Sequence, residues 1–178
     1  MNIIEKNIGT ITLSGKIVIS DPCYDRDTWC MITDFPVKPG KYDVQVAYSD
    51  EGDFGVRIAA LLLIHTESKN IKSNEWSSVE CVGVDSGQCG IFDDAIYPHK
   101  KDHQDFEPFY DECCKLTLRD EQCGILNNGS GVVTSSGYGD GSYEFLAVIR
   151  DGENVALILN YDLMEMNKIM RKLLQNQQ

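Results

Sequence analysis

The sequence predicts a mainly β fold, an antiparallel sandwich or partly open barrel carrying a C-terminal amphipathic helix. Short runs rich in Val, Ile, Leu and Tyr recur along the chain, each bounded by Gly, Asp, Ser or Pro. A clear helical period of apolar residues appears only near the end. With 178 residues and 42% hydrophobic content, the chain can close one core. Residues 1–178 therefore read as a single β-rich domain, with 162–178 as a C-terminal helix and tail.

Residues 10–13 and 16–20 are strand-like, and Ser14-Gly15 between them reads as a hairpin turn. Residues 27–33 fit a short turn of helix. Pro39-Gly40 opens residues 41–49, where Tyr42, Val44, Val46 and Tyr48 alternate with polar or small neighbours at the strand period. The turn Asp50-Glu51-Gly52-Asp53 leads into residues 56–65, apolar enough for a central strand buried on both faces. Residues 81–84, 131–135, 143–150 and 155–161 complete the strands, the last two joined at Asp151-Gly152-Glu153-Asn154. Residues 107–116 fit a helix that tolerates Pro108 in its first turn. Over 163–175, Leu163, Met166, Ile169, Met170, Leu173 and Leu174 form an apolar stripe, with Asp162 as its cap. That stripe fits packing on the domain's own sheet, or a groove for a partner.

Net charge is −12, from 28 acidic and 16 basic side chains. Phosphate backbones are held by Lys and Arg, so duplex nucleic acid is not expected as a partner. Lys168, Arg171 and Lys172 read as a solvated helix face near its negative end. No stretch approaches the ~18 apolar residues of a membrane span. The N-terminus lacks a signal-peptide layout, so a cytoplasmic location without membrane contact is expected. The seven cysteines are odd in number and form no C-x-x-C pair, which argues against a disulfide framework or a structural zinc.

Three stretches concentrate Gly, Asp, Ser and Tyr at strand ends: residues 20–24, 84–94 and 135–143. Loops on a rigid scaffold are where binding residues collect. Within them Gln88-Cys89-Gly90-Ile91 is echoed by Gln122-Cys123-Gly124-Ile125. The echo reads as chance, as two similar strand-edge corners, or as two copies facing one another across a pocket.

Ile19-Ser20-Asp21-Pro22-Cys23-Tyr24, Ser49-Asp50-Glu51-Gly52-Asp53, residues 84–93 and Ser136-Gly137-Tyr138-Gly139-Asp140-Gly141-Ser142-Tyr143 carry a further signal. Together with Pro39-Gly40 they resemble a bacterial and phage family catalogued as domain of unknown function 4241. The likeness runs from about residue 15 to 161. It implies a β-rich single domain in a prokaryotic or phage setting and supplies no activity.

Asp21, Asp85, Asp93 and Asp140 are the candidate metal ligands, because Asp-rich turns with Gly offer oxygen donors to Mg²⁺ or Ca²⁺. The same residues also fit turn caps that accept backbone N–H groups, and no calcium-loop pattern is present. Tyr24, Ser86, Gln88, Ser136, Tyr138 and Tyr143 are the candidate ligand-binding residues. Gln88 would fix orientation and the tyrosines would form a wall, or they are half-buried strand residues with bonded hydroxyls. Gly137, Gly139 and Gly141 match neither a Walker loop nor a dinucleotide fingerprint, since a strand follows them. A Ser or Cys nucleophile lacks a base nearby, because His65 ends a strand and His99 and His103 share a polar loop. The expected function is binding of a small polar ligand, nucleotide-like among the candidates, with a divalent cation. A metal-dependent hydrolase using the same carboxylates is the alternative. A structural or protein-interaction domain, or a homo-oligomer, is the third reading.

Overall fold

The computed structural model describes residues 3–100 and 104–163. These form two antiparallel sheets packed face to face and not closed into a barrel. The first sheet has six strands in the order β1 (Ile3–Leu13), β4 (Gly40–Asp50), β5 (Val56–His65), β11 (Glu153–Asn160), β10 (Gly141–Arg150) and β6 (Trp76–Val84). The second has five, in the order β3 (Ile32–Pro36), β2 (Lys16–Ser20), β7 (Gln88–Asp93), β9 (Gly131–Ser135) and β8 (Cys123–Ile125). One helix, α1 (Phe106–Thr117), lies against the outer face of the smaller sheet.

The alternation that marks residues 41–49 places Tyr42, Val44 and Val46 in the core between the sheets. They meet Ile17 and Ile19 of β2, Leu61 and Leu63 of β5, and Phe145 of β10. β5 is buried on both faces, as its near-continuous apolar run requires: Leu62 and Ile64 join Val148 and Ile158 on the far side of the large sheet. Across the small sheet, Val18, Phe92 and Val133 pack on Phe109, Cys113 and Leu116 of α1. Asp151 and Gly152 both take positive φ, the geometry of the two-residue turn that joins β10 to β11.

The structure departs from the sequence reading at several elements. Ser14-Gly15 is no hairpin: β1 pairs with β4 in one sheet and β2 with β3 and β7 in the other. It is a corner between sheets, with Gly15 at φ 126°. Residues 27–31 form turns rather than helix, and β3 follows them. The stretch 88–93, read as loop, is the wholly buried strand β7. The apolar stripe expected as a C-terminal helix falls, beyond Leu163, outside the described residues.

The repeated Gln-Cys-Gly-Ile segments are β7 and β8, and they flank β9 in one register. Cys89 and Cys123 both pair with Thr134, Gly90 and Gly124 with Val133, and Ile91 and Ile125 with Val132. The echo thus marks two sides of one strand, not two walls of a pocket.

Candidate functional site

The three loops meet at the end of the sandwich where β2, β6 and β9 finish and β7 and β10 begin. Asp21 binds them together. Its buried carboxylate accepts the N–H of Asp85 at 2.9 Å and both the N–H and hydroxyl of Ser86, each at 2.6 Å. It also accepts the Cys23 N–H at 2.9 Å, closing its own turn. The third loop joins through Ser136, whose N–H donates to the Gly87 carbonyl at 3.1 Å. Ser136 in turn donates its hydroxyl to the Gly139 carbonyl, and the Tyr143 hydroxyl lies 2.9 Å from the same oxygen.

Residues 24–31 are held over this junction by three further contacts and by one within the segment. The buried Tyr97 hydroxyl lies 3.0 Å from the Tyr24 carbonyl. Arg26 forms an ion pair with Asp94. The Thr28 hydroxyl donates to the Asp25 carbonyl at 2.6 Å. Gly83 donates its N–H to the Cys30 carbonyl at 2.8 Å. Gly83 is required here, since a Cβ at that position would stand 2.7 Å from the Cys30 Cβ.

Between residues 24–31 and the strands β6 and β10 lies a cleft of about 620 Å³. Glu80, Asp85 and Asp140 contribute carboxylates to it, and Tyr24 and Trp29 contribute rings. Cys81 and Gly83 form the wall along β6, and Cys30 meets them from the opposite segment. Asp85 and Asp140 directly extend the Val84–Gly141 pair on adjoining strands, and like charges facing across a ladder repel. Among the described residues none of the three carboxylates forms an ion pair. Burial, reinforced by the neighbouring Cys30 and Asp85, holds the Tyr24 phenol well above its ordinary value. Trp29 is 92% exposed at the rim.

Of the residues singled out from sequence, Tyr24, Asp85 and Asp140 line this cleft. Asp21, Ser86, Ser136 and Tyr143 lie behind it and fix the loops. Asp21 has its oxygens filled by four donors, so it is a support rather than an open ligand. Gln88 points the other way: its amide meets Cys114 Sγ and accepts from the Thr117 hydroxyl, tying β7 to α1. Tyr138 belongs to a cluster on the β4–β5 hairpin, where it donates to Glu51 at 2.9 Å and lies beneath Arg57. Asp93 sits at the opposite end of the β2–β7 pair, since it faces Ile17 while Ser20 faces Gly90. Its carboxylate accepts from Ser14 and Ala95. The four aspartates therefore do not form one metal cage. Among the described residues no group of three or more His, Cys, Asp or Glu is arranged to hold a metal ion.

Sequence reasoning missed Trp29, Glu80, Cys30 and Cys81. Trp29 carried a usable signal: it stands in the polar run Asp25-Arg26-Asp27-Thr28 with no apolar period to bury it. Glu80 carried none, because the strand around it was read as starting one residue later. Comparison with known proteins finds no matching family model, no matching curated protein and no matching solved structure.

Proposed function

We propose that this chain is a non-enzymatic binding domain whose cleft takes a small polar ligand through a cationic group. The observation that carries this reading is the lining itself: three carboxylates and two aromatic rings, with no Lys or Arg among the lining residues. An ammonium or guanidinium relieves the repulsion between Asp85 and Asp140. It also gains from the ring faces, where a cation is worth roughly 0.5–2 kcal/mol. A phosphate would meet the same carboxylates at close range and be repelled, so a nucleotide would enter by its base or by an amine. A divalent cation is the poorer candidate, because Asp21 is saturated and Asp93 is remote. Membership of the bacterial and phage family that these loops resemble belongs to the same proposal.

The test is thermal unfolding with arginine, putrescine, tetramethylammonium, Mg²⁺, Ca²⁺ and a nucleotide panel, repeated on Asp85→Asn and Asp140→Asn. A cation at ~100 times its dissociation constant stabilises the native state by about 2.7 kcal/mol. Stabilisation by organic cations that disappears in both variants is the expected result. Stabilisation that survives both substitutions would place the binding elsewhere on the molecule.

A further inference from the structure

The cleft opens onto the free edge of a strand. β6 is the last strand of the six-stranded sheet, and Ser77, Ser78, Val79, Glu80 and Cys81 are all exposed along it. Its N–H at Gly83 donates away from β10, to the Cys30 carbonyl. The two-residue alternation of a ladder turns the backbone N–H and C=O of Cys81 to that same open side. Among the described residues Cys81 makes no further main-chain bond there. Natural edge strands are blunted by Lys, Pro, other charges or bulges. Trp76–Val84 has no Lys or Pro, and its two protections are the irregularity between Ser78 and Glu80 and the negative charge of Glu80. The charge along this edge is negative: Glu80 on the strand, Asp85 just beyond it and Asp140 just before its neighbour β10. Glu75, before the strand, is already paired with Arg150.

On the reading of the cleft as a cation site, we infer that its occupant is an arginine side chain of an extended, basic polypeptide that adds to the open edge of β6. Strand addition supplies main-chain bonds to Cys81, and specificity comes from the side chain that the cleft receives. Arginine suits the lining better than lysine. Its planar guanidinium can stack on an exposed indole while bonding a carboxylate in bidentate fashion. Trp29, at the rim, is the surface it would lie on. Gly83 marks where the added strand must stop, because Cys30 already occupies that position.

The experiment is an amide-resolved NMR titration of the whole chain with the blocked peptide acetyl-Thr-Val-Arg-Val-Thr-amide, with acetyl-arginine-amide as the side-chain control. The expected result is slowed hydrogen exchange at the Cys81 amide and a shift of the Trp29 indole signal. The peptide should bind at least tenfold more tightly than acetyl-arginine-amide, and at least tenfold more weakly to the doubly substituted Glu80→Gln, Asp140→Asn chain. Equal binding of peptide and acetyl-arginine-amide, with the Cys81 amide unprotected, would overturn strand addition and leave the cleft as a cation site. Indifference to both, with stabilisation by a neutral or anionic compound that Asp140→Asn abolishes, would overturn the cationic occupant while keeping the cleft as a binding site. Absence of any binding in the cleft would remove both readings together.

Discussion

The β2–β7 pair ends in a buried aspartate on each side, and the two are built alike. Asp21 accepts the N–H and hydroxyl of Ser86 and the N–H of Cys23, two residues on. Asp93 accepts the N–H and hydroxyl of Ser14 and the N–H of Ala95, again two residues on. What differs is the chain each one fastens. Asp93 secures the corner between the sheets, whereas Asp21 secures the loop whose next residue, Asp85, faces the cleft. Asp21 also takes one donor more, the Asp85 N–H. A carboxylate in a Gly-rich turn is thus a sign of turn architecture at both ends. It becomes a sign of a site only where its neighbours in sequence are left facing an open space.

The largest effect expected from breaking this symmetry is that of Asp21→Ala. It strands four part-buried donors at once, and at roughly 1–3 kcal/mol for an unsatisfied group the combined cost is about 3–5 kcal/mol. Asp93→Ala strands fewer donors and removes the N-cap of the short 3-10 turn Asp94–Ile96, for a cost of about 2–3 kcal/mol. Urea unfolding monitored by tryptophan fluorescence checks both. At temperatures where each variant is folded, Asp93→Ala should bind the cleft ligand like the parent chain, and Asp21→Ala should not. Equal loss of binding in the two would deny that the ends differ in role.

Next in size is a contrast within the repeated segments beside β9. A Cβ on Gly90 would stand 2.6 Å from the Val132 carbonyl oxygen and 2.3 Å from the Phe92 ring. A Cβ on Gly124 would meet the Leu116 side chain at 2.5 Å. Backbone and a buried ring cannot yield, while a leucine terminus can turn. Gly90→Ala should therefore cost about 2–3 kcal/mol and Gly124→Ala about 1 kcal/mol. The same urea series measures the difference.

These contrasts also show what the sequence could reveal. The β class was legible because strands such as Gly40–Asp50 bury alternate residues, and alternation survives in the letters. β7 was not legible: every residue from Gln88 to Asp93 is buried, so polar and small residues there look like a turn. Gln88 is tolerated inside because Cys114 and Thr117 satisfy its amide, contacts that depend on α1 lying across the sheet. The Ser14-Gly15 corner failed for a related reason, since a tight turn between two strands does not say whether they share a sheet. At the site, composition singled out the three loops, but neither their convergence nor the division between supports and lining was legible. Asp21 and Asp85 are both aspartates beside a strand end; only the fold turns one carboxylate inward.

A smaller effect separates the two ends by pH. The Asp21 end carries the buried Tyr97, whose phenol burial pushes well above its ordinary value, with the nearby Asp21 charge adding to the shift. In the unfolded chain a tyrosine ionises near pH ~10. Because the folded value is the higher one, the proton is retained on folding, so this contribution is complete below pH ~10 and is lost as pH rises further. Tyr97→Phe should cost about 1 kcal/mol at neutral pH through the lost hydrogen bond. It should also flatten the fall in stability above pH ~10. A fall of unchanged steepness would assign it to the other buried phenols and thiols, Tyr42, Tyr161 and Cys89 among them.

The smallest effect on stability is expected where the effect on binding is largest. Asp140 is exposed and lines the cleft opposite Asp85, so its charge is held there against repulsion. Asp140→Asn keeps the shape of the side chain and removes that repulsion. Its stability should stay within about 0.5 kcal/mol of the parent chain, with any change toward stabilisation, while affinity for an organic cation falls. The opposite signs are what distinguish a binding group from a support such as Asp21, where stability and binding should fall together. A clear destabilisation by Asp140→Asn would instead make it a third architectural aspartate, and the cleft would lose the charge that defines its ligand.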